Sequence, residues 1–328
     1  MIGILASSAL LARPHGGWAQ PAGSMRRIAW LSPSFEAAPT TQQAVKLVRE
    51  LLRRAGYEEG RNLVLEVRFA EGKPERLPAL ADELVRSKVE LIVAYTNDAV
   101  AAARGATRSI PIVMSFGIEP VAAGFVDSLA HPGGNVTGTL WASAELLGKV
   151  LQVVKEAAPA TKRVAVLWDS IRTSPTAAAS YTDASNRAAS GLGMSLESFA
   201  AARADDMAAT LDRIATSAPD AVFVGIDPTT FSKFGEIAAF AVQHKLVTIG
   251  MAPQFVNAGG LLCFGPDVPE LLARTISYVD RILRGAKPAE LPVEMPSRFE
   301  LAVNMKTAKA IAIKIPQSVL LRADRVIE

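Results

Sequence analysis

Residues 91–114 read LIVAYTNDAVAAARGATRSIPIVM. An apolar run, Leu91–Tyr95, gives way to Thr96, Asn97 and Asp98, then to an alanine-rich stretch, then to a second apolar run, Ile110–Met114. Short continuous apolar runs bounded by turn residues predict buried strands, and the alanines between them predict a helix. Strands that are apolar throughout, rather than alternating, belong to a parallel sheet covered on both faces by helices. This one unit therefore points to an α/β fold.

The same unit repeats outward in both directions. Upstream, Ile28–Leu31 is a buried-strand run closed by Ser32-Pro33. Ala44, Leu47, Val48, Leu51, Leu52 and Ala55 fall on one helical stripe that Gly56 ends. Leu63, Leu65, Val67 and Phe69 alternate as in a strand, and Pro74 precedes a second stripe on Leu77, Leu80, Ala81, Leu84 and Val85. A loop from His131 to Gly138, HPGGNVTG, breaks the rhythm. The pattern then restarts with strands at Val164–Trp168, Ser195–Phe199, Ala221–Gly225 and Val247–Gly250, separated by helices at Thr176–Ser190, around Met207–Ala215 and around Phe234–Val242. Two sheets of similar length, joined near residue 138, predict two lobes. Right-handed crossovers set every strand-to-helix loop along one rim of each lobe. The expected binding position is the crevice at the carboxyl ends of the strands.

Composition narrows what such a molecule can do. At 328 residues the chain is long enough for two lobes of about 100–200 residues each. Lys plus Arg exceeds Asp plus Glu by three, with no basic block, which argues against a nucleic-acid partner. One cysteine, Cys263, leaves no internal disulfide or multi-cysteine metal site, and His15, His131 and His244 are widely scattered. Residues 2–12, IGILASSALLA, are too short and too rich in small residues to span a bilayer. They resemble the apolar core of an export signal, with Gly17-Trp18-Ala19 before Gln20 as the cleavage point, so residues 1–19 are expected to be removed.

The rim loops hold the candidate site. In the first lobe they are Ser32-Pro33-Ser34, Tyr95-Thr96-Asn97-Asp98 and Ser115-Phe116-Gly117-Ile118-Glu119; in the second, Trp168-Asp169-Ser170, Ile226-Asp227-Pro228-Thr229 and Met251-Ala252-Pro253-Gln254. From these, Ser32, Thr96, Asn97, Ser115, Phe116, Trp168, Asp169, Asp227 and Met251 are the candidate ligand contacts. Hydroxyls, amides and a few carboxylates suit a small polar molecule held by hydrogen bonds. Taken singly, each Ser, Asn or Asp is equally explained as a turn or helix-cap residue. Gly133–Gly138 lacks both the Lys-Ser/Thr ending of a phosphate loop and the spacing of a dinucleotide fingerprint. Cys263 lies in an apolar run, Leu261–Phe264, and His244 ends a helix beside Lys245, so neither has an activating partner for nucleophilic catalysis. No cofactor, metal or enzymatic activity is expected.

Several stretches in fixed order then resemble one family, the exported substrate-binding proteins of ABC transporters. They are Arg68–Gly72 with Leu77–Ala81, Ile110–Val113, Glu119-Pro120-Val121, Pro132–Gly138, Gly260–Asp267, Ile282–Pro288, Leu291–Glu294 and Arg322–Glu328. The resemblance implies a periplasmic binding fold of type I, two doubly wound parallel-sheet lobes joined by three crossings. It implies a periplasmic monomer that captures an amino acid or small carboxylate, of aromatic type in some members, and delivers it to a permease. Lobe 1 is expected from 27–138 plus 266–288, and lobe 2 from 139–258 plus 292–328. Closure of the lobes would be favoured by a ligand touching both rims. By resemblance of position, Thr96, Asn97 and Ser115 would take a carboxylate and Asp227 an ammonium, with Phe116, Trp168 or Phe255 over a side chain. Glu119 stands where the family has Asp, and Phe264 where an aromatic hydroxyl is common, so the resemblance implies a class of solute and not its identity. A ligand-sensing module of a signalling system, or an enzyme working through Glu119, Asp169 and Asp227, are the alternative uses of the same crevice.

Overall fold

The computed structural model describes residues 25–167, 175–201 and 204–328; the expected export signal, residues 1–19, lies outside them. The first half alternates β1 (Arg26–Ser32), α1 (Pro39–Arg54), β2 (Leu63–Phe69), α2 (Leu77–Arg86), β3 (Leu91–Tyr95), α3 (Thr96–Ala106), β4 (Ile112–Ile118) and β5 (Val136–Ala142). These strands form one parallel sheet in the order β2-β1-β3-β4-β5. Side chains alternate across it with a period of two. Ile28, Trp30, Leu91, Val93 and Val113 enter one core, against Val48 and Leu52 of α1; Ala29, Leu31, Ile92, Ala94, Ile112 and Met114 enter the other, against α2 and α3. Burial of each such Leu or Ile stabilises the lobe by about 1.5–3 kcal/mol before the entropy cost of ordering it.

The second half continues with α4 (Ala144–Ala157), β6 (Arg163–Leu167), α5 (Pro175–Gly191), β7 (Ser195–Phe199), α6 (Met207–Ser217), β8 (Ala221–Val224), α7 (Pro228–Ser232), α8 (Phe234–Gln243), β9 (Val247–Gly250), α9 (Pro253–Asn257) and β10 (Leu262–Pro266). After α10 (Val268–Leu283) come β11 (Phe299–Asn304), α11 (Met305–Ala310), α12 (Gln317–Leu320) and β12 (Arg325–Ile327). The second sheet runs β12-β11-β10-β9-β8-β6-β7. All its pairs are parallel except β10 with β11.

That exception follows from the path of the chain. β5 ends at Ala142 and Ser143 caps α4, which packs on the second lobe. β10 runs out of the second sheet and Asp267 caps α10, which packs on α1, β4 and β5 of the first. The chain returns along β5, where Leu140 N–H donates to Glu294 O (2.9 Å) and Glu294 N–H to Gly138 O (3.0 Å), and re-enters the second sheet at Phe299. Entering from the crossing side, β11 must run against β10. The carboxyl ends of both sheets thus face the three crossings.

Residues 136–138, grouped by their glycines with the central loop, are in fact the start of β5. The strand is paired with β4 from Val136 onward, and it stays in the first sheet to Ala142, four residues past the expected junction. Gly138 makes this possible: its φ is +133°, and a Cβ there would sit 2.1 Å from the Met114 carbonyl oxygen. Replacing Gly138 with Ala is expected to cost at least 1–3 kcal/mol of stability, roughly the cost of one strained residue. Gly134→Ala, with nothing within 4 Å of its would-be Cβ, should be near neutral; urea denaturation of both checks the contrast.

Candidate functional site

The rim of the first lobe is strained in three places. Thr96, Phe116 and Glu119 follow β3 or lie at the end of β4 with φ of +74°, +63° and +45°. None is glycine, and left-handed backbone is costly for a β-branched residue such as Thr96. Strain of this kind persists only where the surrounding structure over-determines it, and it clusters at binding sites.

Asn97 supplies part of that surrounding. Its Nδ2 donates to Ile118 O (2.7 Å) and its Oδ1 accepts from Ile118 N–H (2.9 Å), tying the α3 N-terminus to the end of β4. The rest comes from slippage in the ladder. Met114 pairs with Gly138, Gly117 with Leu140 and Ile118 with Ala142. β4 therefore carries one extra residue across Ser115–Phe116, where Phe116 takes the left-handed backbone, and Trp141 is the extra residue on β5. Such bulges re-aim side chains and are unusual between parallel strands. Here the two displaced rings stack, 4.9 Å apart and 15° from parallel.

The stack is the end of a longer row. Trp30 lies 5.9 Å from Tyr95, and Tyr95 lies 4.7 Å from Phe116. One ring comes from each of the four adjacent strands β1, β3, β4 and β5. Burial pushes the Tyr95 hydroxyl up to about 12. The apolar cluster holding Trp30, Phe116 and Trp141 also contains Leu146, Val164 and Met251 of the second lobe, so the row belongs to a core that runs continuously from one lobe into the other. Its scarce aromatics at the ends of successive strands are the signal by which Tyr95 and Trp141, absent from the candidate contacts, could have been found.

The polar candidates divide sharply. The Ser115 hydroxyl is buried against Thr275 of α10 (3.2 Å), which also meets Thr139 of β5 (3.2 Å). The Ser32 hydroxyl accepts from Ser34 N–H. Asp227 caps α7: Thr230 N–H donates to Oδ1 (2.8 Å) and the Thr230 hydroxyl lies 3.1 Å from Oδ2. Met251 is buried in the shared cluster, and Phe255 is wholly buried against Phe234 in the core of the second lobe, not on the rim. Trp168 and Asp169 lie outside the described residues. Thr96 alone differs. Its Oγ1 is buried and has no hydrogen-bond partner among the described residues. An unpartnered buried hydroxyl costs about 1–3 kcal/mol, so it stands out in a rim where its neighbours are satisfied.

Charge reaches across from one lobe to the other. Tyr181 of α5 is buried in the second lobe, and both desolvation and the negative charge of Glu119 push its hydroxyl up. Elsewhere, surface grooves of about 480 and 490 Å³ lie between α8 and α11 and between α2 and α3. Both are lined by helix side chains, not by strand ends. No group of His, Cys, Asp and Glu among the described residues could hold a metal ion, and no described helix is long and apolar enough to cross a membrane. Cys263 is buried with its thiol pushed up by desolvation, which leaves it a poor nucleophile.

Residues 35–327 match the family described as ABC transporter substrate binding protein. The chain is 26% identical over 277 residues to a tyrosine-binding protein of Clostridioides difficile, covering 83% of this chain and 77% of that one. It is similar to a solved structure of an ABC domain in complex with L-Trp from Streptococcus pneumoniae, with TM-score 0.82 and 28% identity over 93% of this chain and 100% of that one. A conserved domain protein from Vibrio cholerae matches equally well, with TM-score 0.82 and 27% identity over 92% and 100%.

A pH dependence follows from Tyr95. Its folded-state pKa lies above the unfolded value, so the native state holds its proton where the unfolded chain has lost it. Stability should be complete below pH ~10 and decline as the pH rises toward about 12, and Tyr95→Phe should flatten that decline. Thermal melts between pH 9 and 12 measure it.

Proposed function

Since the chain belongs to the ABC transporter substrate-binding protein family, we propose that it is the extracytoplasmic receptor of an importer, capturing an amino acid or small carboxylate, aromatic in type, between its lobes. The observation that carries this reading is Thr96: a strained residue with a buried, unpartnered hydroxyl at the crevice beside a row of aromatic rings. A ligand that hydrogen-bonds that hydroxyl removes a penalty the empty site carries. The strand-end N–H groups beside it would help hold a carboxylate, as a charge-assisted bond roughly twice as strong as a neutral one.

Glu119 on one rim and Asp227 on the other would flank the ammonium of an amino acid, with Trp168 and Asp169 completing the second rim. Tyr95, the partly exposed ring of a row in which Trp30, Phe116 and Trp141 are buried, would offer the flat apolar surface against which a planar side chain loses its water. Ligand contact with both rims would favour the closed arrangement, because only there are both sets of contacts made. In this reading residues 27–142 with α10 move as one lobe and residues 143–266 with 299–328 as the other. The receptor works in the periplasm as a monomer, after removal of residues 1–19, and presents both lobes to a permease. The family, the tyrosine-binding relative and the relative solved with L-Trp support the class of solute. They do so by similarity.

A thermal-shift screen with L-Trp, L-Tyr, other amino acids and benzoate tests the reading. A true ligand at 100 times its Kd should stabilise by about 2.7 kcal/mol. Thr96→Val should leave the free protein as stable as before, or more so, while weakening that ligand by roughly tenfold, the ratio worth 1.4 kcal/mol. Unchanged affinity would remove Thr96 from the site.

Asp227→Asn separates two roles that Asp227→Ala would confuse, because Asn caps a helix as well as Asp does. The variant is expected to keep its melting temperature and lose about tenfold or more in affinity for an amino acid, while affinity for a ligand lacking the ammonium holds. Calorimetry on both ligands distinguishes these outcomes.

A further inference from the structure

The third crossing is gripped from α10. Arg274 donates from Nη1 to Glu294 (2.8 Å), from Nη2 to Ser297 Oγ (2.6 Å) and from Nε to Glu270 one turn earlier. Glu294 is itself bonded through its backbone to β5, and Tyr278 O–H donates to Pro292 O. Up to Glu294, then, the returning chain is fixed to the first lobe, and from Phe299 it is fixed to the second. Between them Met295 packs on the first-lobe core and Ser297 is held by Arg274, so the turn made when the lobes move falls at Ser297–Arg298.

Two charged groups beside that segment are poorly matched in the arrangement described. Glu270 spends one carboxylate oxygen on Arg274, while the other, Oε2, is buried with no hydrogen-bond partner among the described residues. Arg298, on the turning segment, is about three-quarters exposed and, among the described residues, pairs only with Asp267, at 3.7 Å. Its backbone carbonyl accepts from Asp267 N–H (3.0 Å), and Asp267 Oδ1 in turn accepts from Glu270 N–H (3.0 Å). Asp267, the carboxylate that Arg298 reaches, caps α10 three residues before Glu270. A buried acceptor left unpaired and a cation held loosely beside it are what one state of a two-state ion pair leaves behind.

We propose that Glu270 and Arg298 form a hinge pair that is open in this arrangement of the lobes and made in the other, with Arg274 holding Glu270 in place for both. The pair lies away from the ligand and acts through the lobe equilibrium alone. It sets how much of the binding energy is spent on closing or opening the clamshell, and so tunes affinity without touching the solute. Arg274 and Glu270 are positioning residues in this sense. The inference rests on the reading that the lobes move.

Single-molecule energy transfer on the ligand-free protein tests it, with dyes on Asp82→Cys in α2 and Asp212→Cys in α6, both exposed. The native Cys263 is buried and does not compete for label. Glu270→Gln and Arg298→Gln are each expected to shift the ratio of the two inter-lobe distances in the same direction, by roughly tenfold, the ratio for one charge-assisted hydrogen bond made in one state only. The double variant should shift it no further, because both changes remove the same interaction. Arg322→Gln, which breaks an ion pair with Glu156 inside the second lobe, should leave the ratio unchanged. Two populations that respond to neither Glu270→Gln nor Arg298→Gln would overturn the hinge pair while leaving the moving-lobe reading intact. A single fixed distance, unmoved by any solute in the screen, would overturn both. Because Arg298 is exposed, its variant remains informative if Glu270→Gln fails to fold.

Discussion

Three passages of chain have to lie side by side between two sheets, and each carries backbone groups that must find partners away from water. That requirement organises the molecule. Glu294 closes a short ladder with Gly138 and Leu140, and Asp267 N–H donates to Arg298 O. Once these bonds are made, β11 can enter the second sheet only antiparallel to β10, and β5 must approach β4 closely enough to exclude any Cβ at Gly138. Gly265 answers to the same pressure on the other side, where a Cβ would sit 1.9 Å from the Met251 carbonyl oxygen. Sheet order, rim orientation and the position of the crevice all follow from how the passages are paired.

Much of this was legible because parallel sheets write themselves plainly. Buried on both faces, β1, β3, β4, β6, β8 and β9 read as unbroken apolar runs, and their helices show clear stripes. β5 escaped because Thr137, Gly138 and Thr139, which follow Val136 in its first half, are polar or lack a side chain. Thr137 and Thr139 are nevertheless buried, their hydroxyls spent on Leu291 O and Thr275. A hydroxyl, such as that of Thr139, that will be satisfied by a helical residue 136 positions later looks, in the sequence, like part of a loop. β11 and β12 lie beyond a helix of the other lobe, and no local pattern announces which sheet they join.

The candidate contacts show a related limit. Asn97, Ser115 and Asp227 are on the rim elements where the strand pattern put them, and each spends its side chain on the fold: one clamps Ile118, one meets Thr275, one caps α7. The reading of such residues as turn and cap formers accounts for the Asp227 cap, while Asn97 and Ser115 bond between elements distant in the sequence. Thr96 has the same chemistry and the opposite fate, and only its backbone angle and the atoms around its hydroxyl reveal that. The aromatic row was visible residue by residue but not as a row, because it takes the strand order β1-β3-β4-β5 to put Trp30, Tyr95, Phe116 and Trp141 next to one another.

The late return of the chain also governs when either half can finish. α10, which covers the first sheet, is translated only after five of the seven strands of the second sheet, and β11 and β12 wait for α10. Loop closure between partners so distant in the chain is paid for before their contacts reward it, and such long-range pairing is slow. Neither half is therefore a unit that matures while the remainder is still emerging from the ribosome. The chain stays incompletely packed until its last residues arrive.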